Sequence, residues 1–342
     1  MRKLKVLVVI LMLVMLGSIF VVISQAEELT EKIEVKVMVF AMFEVGAYRG
    51  DFPGEFQYWV EGFNLDQHQI VVPGAYAPVF YNDDGICGTV CCPHGGGKST
   101  TAASITAVLA DPRFDFSKAY FITSGCAGTP PSVGTLGAVF WADWVVEYDL
   151  GHRMSPEEGV PFQPLEENKP LAFKLNEDLV AWAYYLSKDV ELADCEAAQN
   201  YRTLYTEEAA RRAPFVSIGT TVCGDCYFHG PGLSKEAQYI CDLYGAGTYS
   251  TTEMNDYAAA IVLERFGYLD KYLNERDVVN FDQPHPGQTT QESLDGSSGA
   301  FKIGMENAYR AGSVVVDYIV RNWDVWKDGI PAPPVEKYKI RW

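Results

Sequence analysis

Residues 119–131 read AYFITSGCAGTPP and combine a predicted strand with a glycine-containing turn. Residues 119–123 are apolar or β-branched, which is typical of a buried β-strand. Gly125-Cys-Ala-Gly128 follows, and two glycines around a small alanine let the backbone form a wall against a flat ring. Because ligands of open α/β sheets bind at the carboxyl ends of strands, this turn is a candidate wall of a binding site. A tight turn without a ligand is the alternative interpretation.

Predicted strands and helices alternate on both sides of this stretch, which indicates an α/β sheet covered by helices on both faces. The predicted strands are 33–43, 119–123, 139–147, 215–222 and 278–281. The predicted helices are 99–110, 176–187, 194–212, 233–244, 253–266 and 300–323. Because no internal repeat or long linker is visible, we predict one domain over residues 27–330 and a Pro-rich tail over 331–342.

The composition excludes two classes of protein. The 342 residues are 48% hydrophobic and 21% charged, with a formal net charge of −18. A nucleic-acid-binding protein needs a basic surface, which this charge does not provide. The one apolar run of 18 residues is Val6 to Ile23, and a membrane span needs roughly 20. We therefore expect neither nucleic-acid binding nor a multi-span membrane protein.

The N-terminus has the pattern of a secretory signal peptide over residues 1–26. A basic start, Met1-Arg-Lys-Leu-Lys5, precedes the apolar run, and Ser24-Gln-Ala26 precedes the predicted cleavage before Glu27. An uncleaved N-terminal anchor is the alternative, and it would be the only contact with a membrane. In both cases we predict export, to the periplasm or the cell exterior, of a body with 24 basic and 45 acidic residues, a net charge of −21.

A glycine-rich loop precedes the helix predicted over 99–110. Its sequence, from Cys92 to Thr100, is CPHGGGKST and resembles a nucleotide P-loop, but Cys92 stands where that motif requires its first glycine. Glycines still allow close backbone approach, and the helix start offers free N–H groups and a positive dipole end. A plain strand-to-helix turn is the alternative. The candidates for holding an anion or a hydroxyl-rich ligand are Gly96, Gly97, Lys98 and Ser99.

Polar side chains follow several of the predicted strands. Glu44 comes after the first strand beside apolar residues, where a carboxylate with a raised pKa can act as a general base. Asp225 and His229 lie in CGDCYFHG, and Asn280 and Asp282 lie at the end of the last predicted strand. The alternatives are a surface carboxylate and a structural histidine. A Ser-His-Asp hydrolase is not supported, because the sequence has no G-x-S-x-G motif.

The eight cysteines predict neither a zinc site nor a redox centre. Zinc sites use two suitably spaced pairs, and only Cys223-Gly-Asp-Cys226 is close to that pattern. The turn residues after Cys226 do not fit the helix start of a redox motif. Structural disulfides and buried thiols remain the two interpretations, and we expect no metal.

Together these segments resemble the purine nucleoside permease family over residues 35–323. The resemblance also extends to the wider nucleoside phosphorylase and nucleosidase superfamily. It implies a single-domain, nucleoside-phosphorylase-like α/β sandwich with a mixed central sheet flanked by helices on both faces. The matching blocks are Met42-Phe-Glu44, Tyr120–Gly128 with Val133–Gly137, Gly224-Asp225 with His229-Gly230, Thr251–Met254 with Asp256, and Asn280-Phe-Asp282 with Pro284 and Pro286-Gly287.

The resemblance implies a role for each matched position. Glu44 would activate the attacking water near the ribose, and Asn280 and Asp282 would complete the catalytic set. Asn280 replaces the aspartate that protonates purine N7, and an amide can donate a hydrogen bond there but cannot transfer a proton. Asn255 replaces the glutamate that holds the ribose. The implied substrate-binding residues are Gly96, Gly97, Lys98 and Ser99 beneath the sugar or its phosphate nucleophile, Ala127 and Gly128 at the base, Met254 and Asn255 at the ribose, and Asp225 and His229.

The function that these residues imply is the binding of a purine nucleoside and cleavage of its N-glycosidic bond. Hydrolysis is favoured over phosphorolysis because Glu44 supplies a base. A non-catalytic nucleoside-binding component of purine nucleoside transport is the alternative from another class, and a phosphorylase that holds phosphate with Lys98 and Ser99 is the third. No cofactor is expected, phosphate would be the co-substrate of the phosphorylase only, and a homo-oligomer is compatible with the sequence.

Overall fold

A computed structural model describes residues 32–93, 96–165 and 171–334. The predicted signal segment and residues 335–342 of the predicted tail lie outside the described residues, and residues 331–334 contain neither helix nor strand. No helix in the described part of the chain is long and apolar enough to span a bilayer.

The described strands form one large mixed sheet and two small two-stranded pairs. The large sheet has the order β11-β8-β12-β13-β7-β2-β5-β4-β3, and β14 pairs with both β7 and β8. The strands are β1 (Ile33–Glu34), β2 (Val37–Ala41), β3 (His68–Ile70), β4 (Val79–Tyr81), β5 (Ile86–Val90), β6 (Phe114–Asp115), β7 (Tyr120–Thr129), β8 (Val139–Glu147), β9 (Gly151–His152), β10 (Gln163–Pro164), β11 (Ala172–Lys174), β12 (Val216–Cys223), β13 (Tyr249–Glu253) and β14 (Tyr272–Phe281).

The described helices vary from one turn to the long helix near the C-terminus. They are α1 (Gln57–Phe63), α2 (Gly97–Ala110), α3 (Glu177–Ser187), α4 (Glu196–Arg202), α5 (Pro231–Tyr244), α6 (Asp256–Arg265), α7 (Thr290–Asp295), α8 (Phe301–Arg321) and α9 (Trp323–Trp326). Local sequence explains several of the starts. Asn176 accepts two backbone N–H bonds at the start of α3, and Thr289 and Glu292 form a capping box on α7.

Five strands close into a ring at the centre of the fold. β14 runs parallel to β7 and antiparallel to β8, while β12 pairs in parallel with β8 and β13. The ring closes where Thr252 of β13 pairs with Gly128 of β7. Successive residues of β14 point to opposite faces: Arg276 bonds Asp256 of α6, whereas Asp277 lies against Gly304 of α8. The predicted fold, a mixed sheet with helices on both faces, is therefore confirmed.

The turn predicted at Gly125–Gly128 is wrong, because β7 continues through these residues to Thr129. The strand extends because β14 pairs with it in parallel up to that position. A Cβ at Gly125 would lie 2.6 Å from both Arg276 Nη1 and Glu55 Oε1. The glycine therefore lets two buried charged side chains approach the strand, rather than bending the chain.

Other predicted elements also differ from the structure, and the strand predicted over 33–43 is divided into β1 and β2, which belong to two different sheets. The helix predicted over 194–212 ends at Arg202, whose guanidinium turns back to bond Asp194 and the carbonyl of Arg212. The helix predicted over 253–266 begins only at Asp256, because residues 249–253 form β13. The strand predicted over 278–281 begins six residues earlier, since β14 starts at Tyr272. The strand predicted over 139–147 is confirmed as β8.

The eight cysteines are free thiols. Of the two interpretations, the structure therefore shows thiols and not disulfides. Five of them are buried, namely Cys87, Cys91, Cys92, Cys223 and Cys241.

Candidate functional site

The carboxyl ends of β2, β7 and β14 meet at one edge of the sheet, because β2 and β14 both run parallel to β7. A cavity of about 280 Å³ opens there, lined by Tyr227, His229, Asn280, Ser293 and Phe301 among others. A second cavity, of about 330 Å³, is lined by residues 43–46. The Phe43 ring, which lines the second cavity, packs 6.1 Å from the Phe301 ring, which lines the first, measured between their centroids. Small-molecule sites typically have volumes of roughly 300–1,000 Å³.

Glu55 joins the ends of β2 and β7 through its carboxylate. Its Oε2 accepts the Met42 N–H at 2.7 Å and its Oε1 accepts the Cys126 N–H at 2.8 Å. The residue is 5% exposed. Burial raises its pKa above the ordinary 4.5, and the nearby Arg276 opposes that rise. Burial and a raised pKa are properties of a general base, and the predicted Asp282 shares them; neither carboxylate is among the described residues that line the two cavities.

Arg276 is the buried cation beneath this edge of the sheet. Its guanidinium binds Asp256 through two nitrogens, with Nε to Oδ2 at 2.6 Å, and Nη1 donates to the Cys126 carbonyl at 3.2 Å. Glu253 Oε2 lies 3.6 Å from Nη2. Burial, with a smaller contribution from the neighbouring Asp256, raises the pKa of Glu253 to about 8. The carboxylates of Asp256 and Glu253 thus lie within 4 Å of one guanidinium, which also acts electrostatically on Glu55.

Glu44, predicted as the catalytic base, lines the second cavity. Backbone N–H groups donate hydrogen bonds to both of its carboxylate oxygens. Oε1 accepts the N–H groups of Val45 and Gly54, and Oε2 accepts those of Phe56 and Gln57, at 3.0 and 2.6 Å. Burial raises its pKa, and these bonds act in the opposite direction. Its geometry is that of an anchor for the loop that leads into α1.

We expect Glu44→Gln to lower the free energy of unfolding by about 1 kcal/mol, the lower end of the usual cost of an unsatisfied buried polar group, because Glu44 is only half-buried. The new amide nitrogen would face two backbone donors and accept neither. Urea unfolding of the purified variant measures this difference. An unfolding free energy equal to that of the wild type would contradict the anchoring role.

Lys98 and Asp225, predicted as ligand-binding residues, are bonded to each other, and the Asp225 side chain is half-exposed. Asp225 Oδ1 accepts the Lys98 backbone N–H at 2.7 Å. The Lys98 ammonium lies 2.5 Å from Glu147 Oε1 and 3.2 Å from Asp149 Oδ2. Its pKa is raised by these carboxylates against the effect of burial, which is the largest single cause. Of the neighbouring predicted residues, Gly96 and Ser99 are exposed and Gly97 is buried.

Asn280, predicted at purine N7, lines the first cavity. Its Nδ2 donates to the Tyr227 hydroxyl at 3.2 Å and to the Phe281 carbonyl at 2.9 Å. A Cβ on Gly128 would lie 2.9 Å from Asn280 Nδ2. The predicted glycine therefore leaves the space in which the Asn280 amide packs against β7. Ala127, the predicted neighbour of Gly128, is buried in the strand.

Asp282, predicted as catalytic, points into the protein. Its Oδ2 accepts the Tyr249 hydroxyl at 3.0 Å, and burial raises its pKa to about 6. It is fully buried, and it is not among the described residues that line the cavity. Its catalytic role stays a prediction.

The remaining predicted residues divide between the site and the core. His229 lines the first cavity, where its Nε2 lies 2.9 Å from Ser293 Oγ, and burial lowers its pKa. Met254 is half-buried. Asn255 is 4% exposed and donates to Thr101 Oγ1 of α2 at 2.9 Å, so this amide packs against the helix.

Three residues of this edge were missed by the sequence interpretation, namely Glu55, Arg276 and Tyr227. Glu55 stands in Pro53-Gly-Glu-Phe56, which reads as an exposed loop. Glu275-Arg-Asp277 interrupts an apolar run and was therefore left outside the predicted strand. Tyr272 and Leu273 before the triplet and the two valines after it are the signal that could have extended the strand.

A larger cavity, of about 680 Å³, lies elsewhere, between β8, β11 and α5. It is lined by Trp144, Phe162, Tyr239 and Leu243 among others. None of the predicted site residues is among the described residues that line it. Size alone therefore does not identify the site.

Comparison with known proteins gives relatives by sequence and by fold. The model of the family described as purine nucleoside permease (NUP) matches residues 34–331. A probable purine nucleoside permease of Schizosaccharomyces pombe is 32% identical over 264 residues, 68% of this chain and 76% of the relative. A purine nucleoside permease of Candida albicans is 28% identical over 313 residues, 83% of this chain and 75% of the relative.

Two solved structures show the fold. The 5′-methylthioadenosine/S-adenosylhomocysteine nucleosidase of Neisseria meningitidis, in complex with methylthio-immucillin-A, has a TM-score of 0.53 at 16% identity, covering 83% of this chain and 99% of the nucleosidase. Futalosine hydrolase of Helicobacter pylori has a TM-score of 0.55 at 15% identity, covering 83% of this chain and 98% of the hydrolase. The predicted nucleoside-phosphorylase-like architecture is thereby confirmed.

Proposed function

Because this chain belongs to the purine nucleoside permease family, we propose that it binds purine nucleosides at the ends of β7 and β14 and hydrolyses their N-glycosidic bond. The observation that carries the proposal is Glu55, a buried carboxylate held between the ends of β2 and β7. The nucleosidase-like fold of the solved structures supports the same reaction class.

The residues at the cavity fit a purine nucleoside. The Tyr227 ring and the Asn280 amide lie together on its wall, one offering a flat apolar face and the other a hydrogen-bond donor. A base bound there replaces the Tyr227 hydroxyl as the acceptor of the Asn280 N–H. The half-buried Met254 offers an apolar contact for the sugar.

The proposed reaction follows from the positions of Glu55 and Asn280. Glu55 accepts a proton from water as the water oxygen forms a bond to the ribose C1′. The bond from C1′ to the base nitrogen breaks, and its electron pair leaves with the base. Asn280 donates a hydrogen bond to the base but has no proton to transfer, so the base takes its proton from solvent.

Product formation tests this proposal. We expect purified protein to release free base and free ribose from inosine or adenosine, at equal rates with and without phosphate. Chromatography of base and sugar products measures both. Release only with phosphate would replace hydrolysis by phosphorolysis.

The second candidate function is capture of a nucleoside without cleavage, as a component of transport. Asn280 and Asn255 favour it, since neither amide can act as an acid and Asn255 packs against α2. Tight binding of the nucleoside with no base released would establish this function and exclude the enzyme. Under either function we also propose export of the chain, on the signal pattern of residues 1–26.

A further inference from the structure

Two carboxyl groups of β14 are buried where this strand faces α8. Glu275 and Asp277 are two positions apart, so their side chains lie on the same face of the strand, opposite to that of Arg276. Both residues are 0% exposed. A Cβ at Gly312 of α8 would lie 2.6 Å from Glu275 Oε2, and a Cβ at Gly304 would overlap the second carboxyl group. The two glycines therefore leave the space in which these acids pack against the helix.

Neither carboxyl group has a hydrogen-bond partner in the part of the chain that the structure describes. This holds for Oε1 and Oε2 of Glu275 and for Oδ1 and Oδ2 of Asp277, all of which are buried. Ser124 of β7 stands opposite Glu275, but its hydroxyl accepts the Trp59 indole N–H at 3.2 Å. A buried polar group without a hydrogen bond is costly, and an ionised one costs far more than a neutral one.

No lysine or arginine nitrogen lies within 4 Å of either carboxyl group among the described residues. Arg276, which separates the two acids in sequence, turns to the other face of β14, where it binds Asp256. The charged side chains of α8 are exposed or paired with one another, namely Lys302, which is exposed, Glu306 with Arg310, and Asp317 with Arg321.

The remaining ionisable neighbours do not compensate a negative charge on this face either. Glu55 acts on Asp277 as a second carboxylate. The residues of β8 that pair with β14 are apolar. Further ionisable side chains on the packed elements are Tyr58 and Glu61 of α1, Cys126 of β7 and Tyr309 of α8.

The pKa values shift in the direction that these surroundings require, and burial is the largest cause for both groups. Burial raises the pKa of Asp277 to about 8, with Glu55 adding to the rise and Arg276 opposing it. Burial also raises the pKa of Glu275 well above its ordinary 4.5, with the Ser124 hydroxyl opposing the rise and Asp277 adding to it.

We propose that Glu275 and Asp277 form a pH-sensitive device within the fold, in which both carboxyl groups stay protonated in the folded chain and ionise when it unfolds. The folded state then binds two protons that the unfolded chain releases above the ordinary pKa values of 4.5 and 3.8. By linkage, the contribution of these protons to stability is complete below the ordinary values and is lost as the pH rises towards the raised ones.

This device lies on the strand pair that carries the proposed site. Cys126 of β7 stands opposite Asp277 and donates its N–H to Glu55, and Asn280 follows on the same strand, β14. A rise in pH therefore weakens the pairing of β7 and β14 next to the site. The inference does not depend on the proposed hydrolysis, because its test measures unfolding.

Amide variants test the device, because an amide has nearly the shape of a protonated carboxyl group and no proton to lose. Urea unfolding of the full chain is measured at pH values near 5, 6 and 7 for the wild type, Asp277→Asn, Glu275→Gln and the double variant. We expect the unfolding constant of the wild type, divided by that of either single variant, to rise about tenfold per pH unit, as one proton per group requires. For the double variant we expect this ratio to rise about 100-fold per pH unit.

Asp317→Asn is the matched control, since this carboxylate lies on α8 and is 43% exposed. We expect the ratio for the control to stay constant over the same pH range. A constant ratio for either single variant would overturn the inference, because that carboxyl group would then carry the same charge in the folded and the unfolded chain. If Asp277→Asn does not fold, the ratio for Glu275→Gln decides in the same way.

Discussion

Replacing Glu55 with glutamine is expected to lower kcat for nucleoside hydrolysis by about 100-fold or more, since general-base catalysis contributes roughly 10²–10⁴-fold. The amide cannot accept the proton of the attacking water. Glu55 is held between the Met42 and Cys126 N–H groups, so no other carboxylate can take its position without moving two strand ends. Steady-state kinetics with inosine or adenosine measure the loss.

The pH dependence of the hydrolysis rate provides a second test of Glu55 with the same variant. Burial raises the pKa of Glu55 above 4.5, so the ionised base is lost as the pH falls through that raised value. We expect the wild-type rate to fall on the acid side with an apparent pKa above 4.5, and we expect this limb to disappear in Glu55→Gln.

Glu44→Gln is the matched control for Glu55→Gln. Both glutamines place an amide nitrogen against backbone donors near the end of β2, so both variants disturb the local hydrogen bonds and only Glu55→Gln removes the proposed base. If the two variants lose kcat equally, the loss reflects disturbed strand ends and Glu55 is not the base. A much larger loss in Glu55→Gln supports the assignment.

The sequence predicts the fold where local pattern and tertiary structure agree. β8 has the predicted bounds because residues 139–147 are largely apolar and buried. α2 begins two residues before its predicted start, since glycines at a helix start carry no propensity signal. The strand after Thr123 was missed because glycines normally mark turns, and only the pairing of β7 with β14 keeps this segment extended.

The candidate site is less predictable because its charged residues act through partners distant in sequence. Glu44 and Glu55 stand eleven positions apart near the same strand end, and only their hydrogen bonds distinguish the helix anchor from the buried carboxylate. Lys98 follows a glycine loop that resembles an anion site, yet the carboxylates around it come from residues more than forty positions away. Spacing along the chain contains no information about such contacts.

Arg276→Met is expected to produce the largest loss of stability, about 3–5 kcal/mol, the usual cost of removing one partner from a buried ion pair. Arg276 is 1% exposed, and its removal leaves Asp256 without its two charge-assisted bonds. Glu253, whose Oε2 lies 3.6 Å from the guanidinium, loses the one cation that lies within 4 Å of it among the described residues. Urea unfolding at neutral pH measures the difference.

The pH dependence identifies the cause of this loss. Glu253 has a pKa raised to about 8, above its ordinary 4.5, so the folded state binds its proton more tightly than the unfolded chain does. By linkage, its contribution to stability is largest below the ordinary value and falls as the pH rises towards the raised one. Without Arg276 the charged form of the buried Glu253 is disfavoured still more. We therefore expect the loss of unfolding free energy in Arg276→Met to be smaller at pH near 5 than at pH near 8.

Asp256→Asn in the Arg276→Met background separates charge from packing. Neutralising one of the two carboxylates is expected to restore part of the lost stability, because the cost arises from an uncompensated buried charge. If the double variant is no more stable than Arg276→Met, the loss comes from the missing guanidinium volume and its bond to the Cys126 carbonyl. In that case Arg276→Lys, which keeps the charge but not the bidentate hydrogen bonding, should have a free energy of unfolding close to that of Arg276→Met.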